Sequence, residues 1–291
     1  MKVVGFTFIR NAITYQYPIV EAIRSILPLC NSVIVGVGNS EDETLELIKS
    51  IDSEKIIIHE TVWDDTFREG GQVLAQETDK SYNLIPDDTD WAFYIQGDEV
   101  LHDDYIENIR SAMEKYKDNP NVDGLLFKYR HFYGSYDYVG DSYNWYHREI
   151  RVLRKRNDIF SFKDAQGFRK KPNTKLKVKL IDAYIHHYGW VKAPDAMQRK
   201  QKSFHKLWHD DEWMEHNISK GDEFDYSQID SLKLYAGNHP KVMTEYIKKH
   251  NWKFDYDIST NHLKMKDKLK KVIEKLTGIK LSGNRNYKLL K

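Results

Sequence analysis

Gln96, Gly97, Asp98 and Glu99 follow directly on an apolar stretch, Trp91 to Ile95. A strand that ends abruptly in amide and carboxylate groups can hold a divalent cation against a diphosphate, and the glycine lets backbone approach. Such a cation neutralises charge building on a leaving phosphate. The same residues also suit a polar β-turn in which Asp98 caps the next helix, and local spacing does not separate the two readings. Farther on, His186-His187-Tyr188-Gly189-Trp190-Val191-Lys192 follows a second apolar stretch, Val178 to Ile185. Histidines there can ligate, move a proton or simply satisfy loop hydrogen bonds. His205 and His209 share a helix face at i, i+4. Lys206 stands where a zinc hydrolase needs Glu, so an amphipathic face is the better reading of that pair.

These groups need a frame, and the first half of the chain predicts one. Val3 to Ile9, Val33 to Val37, Ile56 to His59 and Trp91 to Ile95 read as strands. Tyr17 to Leu27, Asp42 to Ile51, Gly71 to Leu84 and Tyr105 to Tyr116 read as helices between and after them. This alternation predicts an α/β fold, a mostly parallel sheet flanked by helices. Ligands of such sheets sit beyond the carboxyl ends of the strands. The residues placed there are Arg10 and Asn11, Asn39 and Ser40, Trp63 and Asp64, and then Arg68 before Gly70-Gly71. Arginine suits diphosphate through its planar fork. Trp63 can stack on a base or line the core, and Asp42 can cap a helix or touch ligand.

The second half loses the alternation. Gly124 to Tyr129, Ile150 to Leu153 and Val178 to His186 are strand candidates. A loop rich in Tyr, Gly and Asp, Phe132 to Tyr146, separates the first two, and its Tyr143, Trp145 and Tyr146 could stack on an acceptor. Pro194 to His216 reads as helical, and 264–280 as a basic amphipathic helix. That last helix suits either an anionic membrane surface or packing on the domain with a solvated basic face.

Composition narrows the classes. In 291 residues, 45 Lys plus Arg against 44 Asp plus Glu leave a net charge of +1. That balance argues against a bulk nucleic-acid binder. One cysteine, Cys30, excludes an internal disulfide framework and a Cys-rich zinc module. Tyr (19), Phe (12) and Trp (7) are abundant enough to furnish sugar-stacking faces, though ordinary cores use them too. The N-terminus lacks the pattern of a signal peptide and no apolar run reaches about 18 residues, which predicts a cytoplasmic chain without a spanning helix.

Four segments in series resemble the family 2 glycosyltransferases, over roughly residues 1–190. Val3-Val4-Gly5-Phe6-Thr7-Phe8-Ile9-Arg10-Asn11 resembles their first strand and nucleotide-contacting loop. Val37-Gly38-Asn39-Ser40-Glu41-Asp42-Glu43-Thr44 aligns with their second-strand loop, usually Asp-Asp-Gly-Ser-x-Asp-x-Thr. Gly70-Gly71-Gln72-Val73-Leu74-Ala75 aligns with the helix before the metal strand, and Gln96-Gly97-Asp98-Glu99 with the Asp-x-Asp motif. A bacterial subgroup carries this Gln-x-Asp-Glu form together with a later His-Tyr-Gly motif, which His187-Tyr188-Gly189 matches.

The resemblance implies a GT-A core at 1–190, a helical extension at 191–291, and an inverting transfer of sugar from a nucleotide diphosphosugar to a glycan, lipid-linked or protein acceptor. It implies donor contacts from Thr7, Arg10, Asn11, Asn39, Ser40, Trp63, Arg68, Gly71, Gln96 and Asp98, and Mn²⁺ or Mg²⁺ held by Asp98 with Gln96 and His187. Gln96 replaces a charged ligand, so metal affinity should be weaker, and Val37-Gly38 lacks the family's acidic pair. Asp164, the one carboxylate of Phe162-Lys163-Asp164-Ala165-Gln166-Gly167-Phe168-Arg169, is the implied general base, with Glu149 as second candidate; pairing of Asp164 with Lys163 or Arg169 is the alternative. A cell-surface polysaccharide pathway, peripheral to the inner face of a bacterial membrane, is the implied setting. Two rivals stand: a nucleotidyltransferase, against which the missing Gly-rich loop after the first strand counts, and a non-catalytic nucleotide-sugar or glycan-binding protein with a degenerate site.

Overall fold

The computed structural model describes residues 1–67, 70–217, 221–259, 262–277 and 286–291. Strand β1 (Val3–Ile9) is buried along nearly its whole length, as its unbroken apolar run allows. Helix α1 (Ile19–Ile26) packs Ile19, Ala22, Ile23 and Ile26 inward, a 3.6-residue stripe. Then come β2 (Ser32–Gly38), α2 (Thr44–Lys49), β3 (Ile56–Thr61), α3 (Gln72–Asn83) and β4 (Trp91–Tyr94). The block β3-β2-β1-β4 is parallel throughout, so the carboxyl ends of all four strands share one edge.

Beyond β4 the sheet becomes mixed. The next elements are β5 (Glu99–Leu101), α4 (Ile106–Tyr116), β6 (Gly124–Tyr133), β7 (Ser135–Gly140) and β8 (Arg148–Arg154). Strand β8 runs antiparallel to both β4 and β6, so β6 again points with β4. A separate small sheet holds β9 (Ile159–Phe162), β10 (Gly167–Lys170) and β11 (Thr174–Lys175). Strand β12 (Lys177–Trp190) lies parallel to β6 and antiparallel to β5. Its far end therefore reaches the same edge as the ends of β1 to β4.

Alternation along β1, β2 and β4 divides the core in two. Val3, Val33, Val35, Trp91 and Phe93 pack with α1 and α4 on one face. Val4, Phe6, Ile34, Ala92 and Tyr94 pack with Tyr82 of α3 and with Phe168 on the other.

Three expectations change. The loop expected at Phe132 to Tyr146 contains β7, which turns back on β6 at Gly134, where φ is +73°. The strand expected to stop at His186 continues to Trp190: β6 pairs with it as far as Trp190, opposite Tyr133, and β5 adds a second partner at Ile185 to His187. The helical stretch expected from Pro194 to His216 is two helices, α5 (Pro194–Lys206) and α6 (Asp211–Asn217). The rest of the extension holds β13 (Leu232–Leu234), α7 (Thr244–His250), α8 (Met265–Thr277) and β14 (Lys288–Leu289). In the extension, α-helices make up most of the regular structure but under half of the described residues, and β13 and β14 join the main sheet beside β7 and β12. Among the described residues no helix is long and apolar enough to cross a membrane.

Candidate functional site

The loops after β1, β2 and β3 are tied into one rim. Asn11 takes a left-handed backbone, φ +53°, which Asn tolerates better than most residues. There its Oδ1 accepts from the Glu41 amide at 2.8 Å, while its own amide donates to Ser40 Oγ at 3.1 Å. Arg10 donates through Nε to the Asn39 carbonyl at 3.1 Å and forks onto both oxygens of Asp65 at 2.5 and 3.1 Å. Asn39 Oδ1 accepts from the Trp63 amide at 3.0 Å. Arg10 also lies over the Trp63 ring, 5.6 Å from its centre. Thr7 sits fully buried within β1, behind this rim. Arg68 lies outside the described residues.

Trp63 accounts for the glycine at position 38. A Cβ added at Gly38 would lie 2.4 Å from Trp63 Nε1, so the indole occupies the space a carboxylate side chain would need. Trp63 is buried, and its Nε1–H has no partner among the described residues. A buried donor left open is a cue for a ligand acceptor.

Asp98 lies at the edge reached by both β4 and β12. Its Oδ2 stands 3.2 Å from Lys200 Nζ, and its Oδ1 is 3.8 Å from His187 Nε2. Burial alone would raise the Asp98 carboxyl, but the Lys200 ammonium above all holds it below the usual carboxylate range. Lys200 Nζ also donates to the Gly189 carbonyl at 2.8 Å, and Lys192 Nζ to the Gln16 carbonyl at 2.5 Å. Both ammonium groups lie 4.9 Å from the centre of the Tyr17 ring. Burial and the neighbouring Lys200 push the Lys192 ammonium far down, against the pull of Asp98. Neither lysine was singled out in the sequence. The signal was there for Lys200: it falls one turn beyond Ala196 and Met197, on the buried side of α5.

The remaining motif residues divide sharply. Glu99 is fully buried and fully paired, with Arg151 on both oxygens at 2.7 and 2.8 Å and the Tyr129 hydroxyl donating at 2.8 Å. That pair is structural. Gln96 directs its Nε2 toward Tyr94 Oη and the Ala165 carbonyl, both at 3.4 Å. An amide can donate this way and a carboxylate cannot, so Gln96 ties the strand end to the loop that carries Asp164.

His187 belongs to a chain of neutral imidazoles. His131, in register with it on β6, is buried and held neutral by burial and by His187. His131 Nε2 is 2.7 Å from the Tyr146 carbonyl, which only accepts, so that nitrogen carries the proton. His131 Nδ1 is then the acceptor for His187 Nδ1, 3.3 Å away. His187 Nε2 is left with an open lone pair beside Asp98. The hydrogen-bond network thus assigns the tautomer. Burial lowers His187 too, against Asp98 and Glu99. His186 points into a different cluster, 3.0 Å from Arg130 Nη1 and 3.3 Å from the Tyr188 hydroxyl. His131 went unnoticed in the sequence because it sits inside a strand of aromatic and basic residues.

Asp164 is presented on a strained turn: Lys163 and Ala165 on either side have φ of +59° and +62°. Such strain persists only where surroundings impose it. Among the described residues Asp164 forms no ion pair; Arg169 instead donates to the Asn286 carbonyl at 2.5 Å. Burial raises the Asp164 carboxyl. Gly71, itself at φ +67°, packs against this turn, where an added Cβ would lie 2.9 Å from both Asp164 Cβ and the Trp208 ring. Glu149 is 4% exposed, and its Oε2 has no partner among the described residues. Burial pushes its carboxyl up to about 8, with Glu99 and Asp164 adding to the rise and Arg151 opposing it.

The aromatic loop packs inward more than outward. Trp145 stacks on His131 at 5.0 Å, Tyr146 meets the same ring edge-on at 4.3 Å, and Tyr143 donates to Glu274 at 2.7 Å. His205 and His209 stack on Trp213, at 5.4 and 3.5 Å between ring centres.

For a divalent ion, Asp98 and His187 present two donor atoms on one pocket. Gln96 donates through its Nε2 to Tyr94 and Ala165, so its Oε1, an uncharged acceptor, is what it has left for an ion, and the Lys200 ammonium already faces the Asp98 carboxylate. Even with that oxygen, three donors beside a competing ammonium make a poor resident site for a hard cation, which favours six or more oxygen ligands. Three donors do converge at His102, Asp103 and Asp104, within 4.8 Å of one another, so a candidate divalent-ion set exists elsewhere. There Asp103 already pairs with Lys241 at 3.5 Å.

No protein-family model matches the chain, and no curated protein matches its sequence. Among solved structures, S. aureus TarS 1–349 in complex with UDP is similar at 12% identity and a TM-score of 0.42, over 69% of this chain and 64% of that one. The chain thus spans less than two thirds of the TarS structure. Glucosyl-3-phosphoglycerate synthase from Mycobacterium tuberculosis, solved with Mn²⁺, UDP and phosphoglyceric acid, is 16% identical over 45% of this chain and 43% of that one, with a TM-score of 0.29. 4-Diphosphocytidyl-2C-methyl-D-erythritol synthase from Anaerococcus prevotii DSM 20548 is 11% identical over 66% and 91%, with a TM-score of 0.37. Likeness at this level carries no information about substrate.

Proposed function

We propose that the chain is a glycosyltransferase that moves a sugar from a nucleotide diphosphosugar to a hydroxyl of a glycan or lipid-linked acceptor, with inversion. The observation that carries this reading is the meeting of Asp98, His187, Lys192 and Lys200 at the carboxyl edge of the sheet. That edge is where α/β sheets bind nucleotides.

In this reading the base and ribose lie along the rim of Asn11, Asn39, Ser40 and Trp63. The diphosphate lies over Lys200 and Lys192. Burial pushes Lys192 toward its neutral form, so the Lys200 and Asp98 charges balance; a bound diphosphate draws a proton onto Lys192, and the pocket then carries one net positive charge. Asp98 orients the Lys200 ammonium. The acceptor oxygen attacks the anomeric carbon, the bond from that carbon to the β-phosphate oxygen breaks, and the nucleoside diphosphate leaves. Asp164 takes the hydroxyl proton. Glu149 holds its own proton near neutral pH and so cannot start as the base; it keeps a neutral wall beside Asp164. Any divalent ion at Asp98 and His187 is weakly held in this reading, and the lysines stabilise the leaving group.

The test is a thermal-shift panel of nucleoside diphosphates and their sugars, with Mn²⁺, Mg²⁺ or chelator, followed by donor hydrolysis without acceptor. Ligand binding raises Tm by mass action. The expected result is a shift with one nucleotide series that is lost in Asp98→Ala, and slow donor hydrolysis. A shift with no hydrolysis at all would favour a binding protein, and no shift with any donor would overturn the reading.

A further inference from the structure

Helix α8 sits on the domain the wrong way round for a packed amphipathic helix. Its polar side faces the protein: Asp267 is 7% exposed, Glu274 accepts from Tyr143, and Lys271 pairs with Asp141 at 2.5 Å. Its apolar side faces outward: Met265 is 81% exposed, Leu269 62%, Val272 54% and Leu276 80%. Those four stand at i, i+4, i+7 and i+11, which is one continuous stripe on a helix. Hydrophobic burial normally turns such a stripe inward, so an outward stripe held by specific polar contacts marks an interaction surface.

The flanks of the stripe state the partner's charge. Lys264, Lys268 and Lys275 fall along one border and Lys266 along the other, all exposed, and none forms an ion pair among the described residues. On α8 itself no acidic side chain borders the stripe, since Asp267 and Glu274 are both on the protein side. Lysines bordering an apolar stripe can lay their stems on acyl chains and hold their ammonium groups among anionic headgroups. We infer that α8 is a membrane-docking helix: Met265, Leu269, Val272 and Leu276 enter the interface of an anionic phospholipid surface, with Lys264, Lys266, Lys268 and Lys275 on its headgroups. The polar contacts to Tyr143 and Asp141 hold the domain at that surface through the same segment that carries Trp145 and Tyr146. This surface stands apart from the transfer reading, because vesicle binding needs neither donor nor acceptor.

The experiment is vesicle flotation of the whole chain with phosphatidylcholine alone or mixed equally with phosphatidylglycerol, at low and high salt. The chain should bind the anionic vesicles at least about tenfold more tightly than the neutral ones, and high salt should weaken that binding, as each lysine near the surface contributes roughly fivefold. Leu269→Ser with Leu276→Ser should remove at least about tenfold of the binding while leaving Tm unchanged, because both side chains are already in water. Lys268→Gln with Lys275→Gln should lower binding to anionic vesicles alone. Equal flotation with both lipids, or no loss in the Leu variants, would overturn the inference. So would a concentration-dependent dimer that the Leu variants dissolve, since the stripe would then be occupied by a second copy of the chain.

Discussion

Replacing Glu149 by Gln tests the electrostatics of the interior directly. The carboxyl has an ordinary value of 4.5 and is pushed up to about 8 by burial, with Arg151 unable to compensate because Glu99 already occupies that guanidinium. The folded chain therefore keeps a proton on Glu149 that the unfolded chain releases once pH passes 4.5. Between 4.5 and about 8 the unfolded state binds fewer protons, so stability falls as pH rises, and the loss levels off above 8. At roughly 1.4 kcal/mol per pH unit, the ceiling on that loss is about 5 kcal/mol. Glutamine has the same shape and no proton to lose. Thermal unfolding of both proteins from pH 5 to 9 should give curves that diverge up to about pH 8 and stay apart above it, with Glu149→Gln the more stable above neutrality. For a chain of this size, each kcal/mol is worth roughly 2–4 °C in Tm. Parallel curves would mean that Glu149 ionises normally and that a charge partner for its Oε2 has been overlooked. The same variant separates the two carboxylates in catalysis: a folded Glu149→Gln protein that turns over donor and acceptor leaves Asp164 as the base, and a folded but dead one makes Glu149 the base.

Three other outcomes follow from the site. Lys200→Met should weaken nucleoside diphosphate binding by roughly 10–100-fold, the worth of one charge-assisted hydrogen bond, measured by calorimetry. Chelator should change wild-type affinity far less than that, and its abolishing binding would defeat the lysine reading. Asp164→Asn should cut kcat by at least about 100-fold with donor affinity unchanged, whereas a change in donor Kd alone would make it a binding residue. Gly38→Asp should destabilise the fold by on the order of 1–3 kcal/mol through contact with Trp63. Adding Trp63→Ala should recover part of that loss, and a Gly38→Asp protein with unchanged Tm would show that the indole does not fill the space.

The parallel block was legible because β1, β2 and β4 are buried continuously, and a strand covered on both faces reads as an apolar run. Strand β7 was not, because Ser135–Gly140 lies between β6 and the short edge strand β13 and mixes Tyr, Asp and Gly without an apolar run. The end of β12 was hidden for another reason: polar His186 and His187 lie in a strand between β5 and β6, and a single sequence does not reveal those partners. The rim residues were readable from position alone, since anything just beyond a parallel strand must lie at the edge. Lys192, Lys200 and His131 were not, since their roles depend on side chains that arrive from different parts of the chain.

Positions 38 and 96 and the two lysines fit one physical reading. At position 38 a Cβ has no room beside Trp63, and at position 96 the amide's donor ties down the turn bearing Asp164. Neither position carries a negative charge, and a pocket with few carboxylates has little to offer a divalent cation. Under the proposed function, Lys200 on the Asp98 carboxylate, with Lys192 behind it, supplies the positive charge that a diphosphate needs. An acid restored at position 96 would therefore not simply rebuild a metal site. It would place a second carboxylate near a pocket already balanced by lysine and would release the Asp164 turn, so Gln96→Asp should lose turnover even in saturating Mn²⁺. Higher turnover in Mn²⁺ would show instead that the lysines merely fill in for an ion.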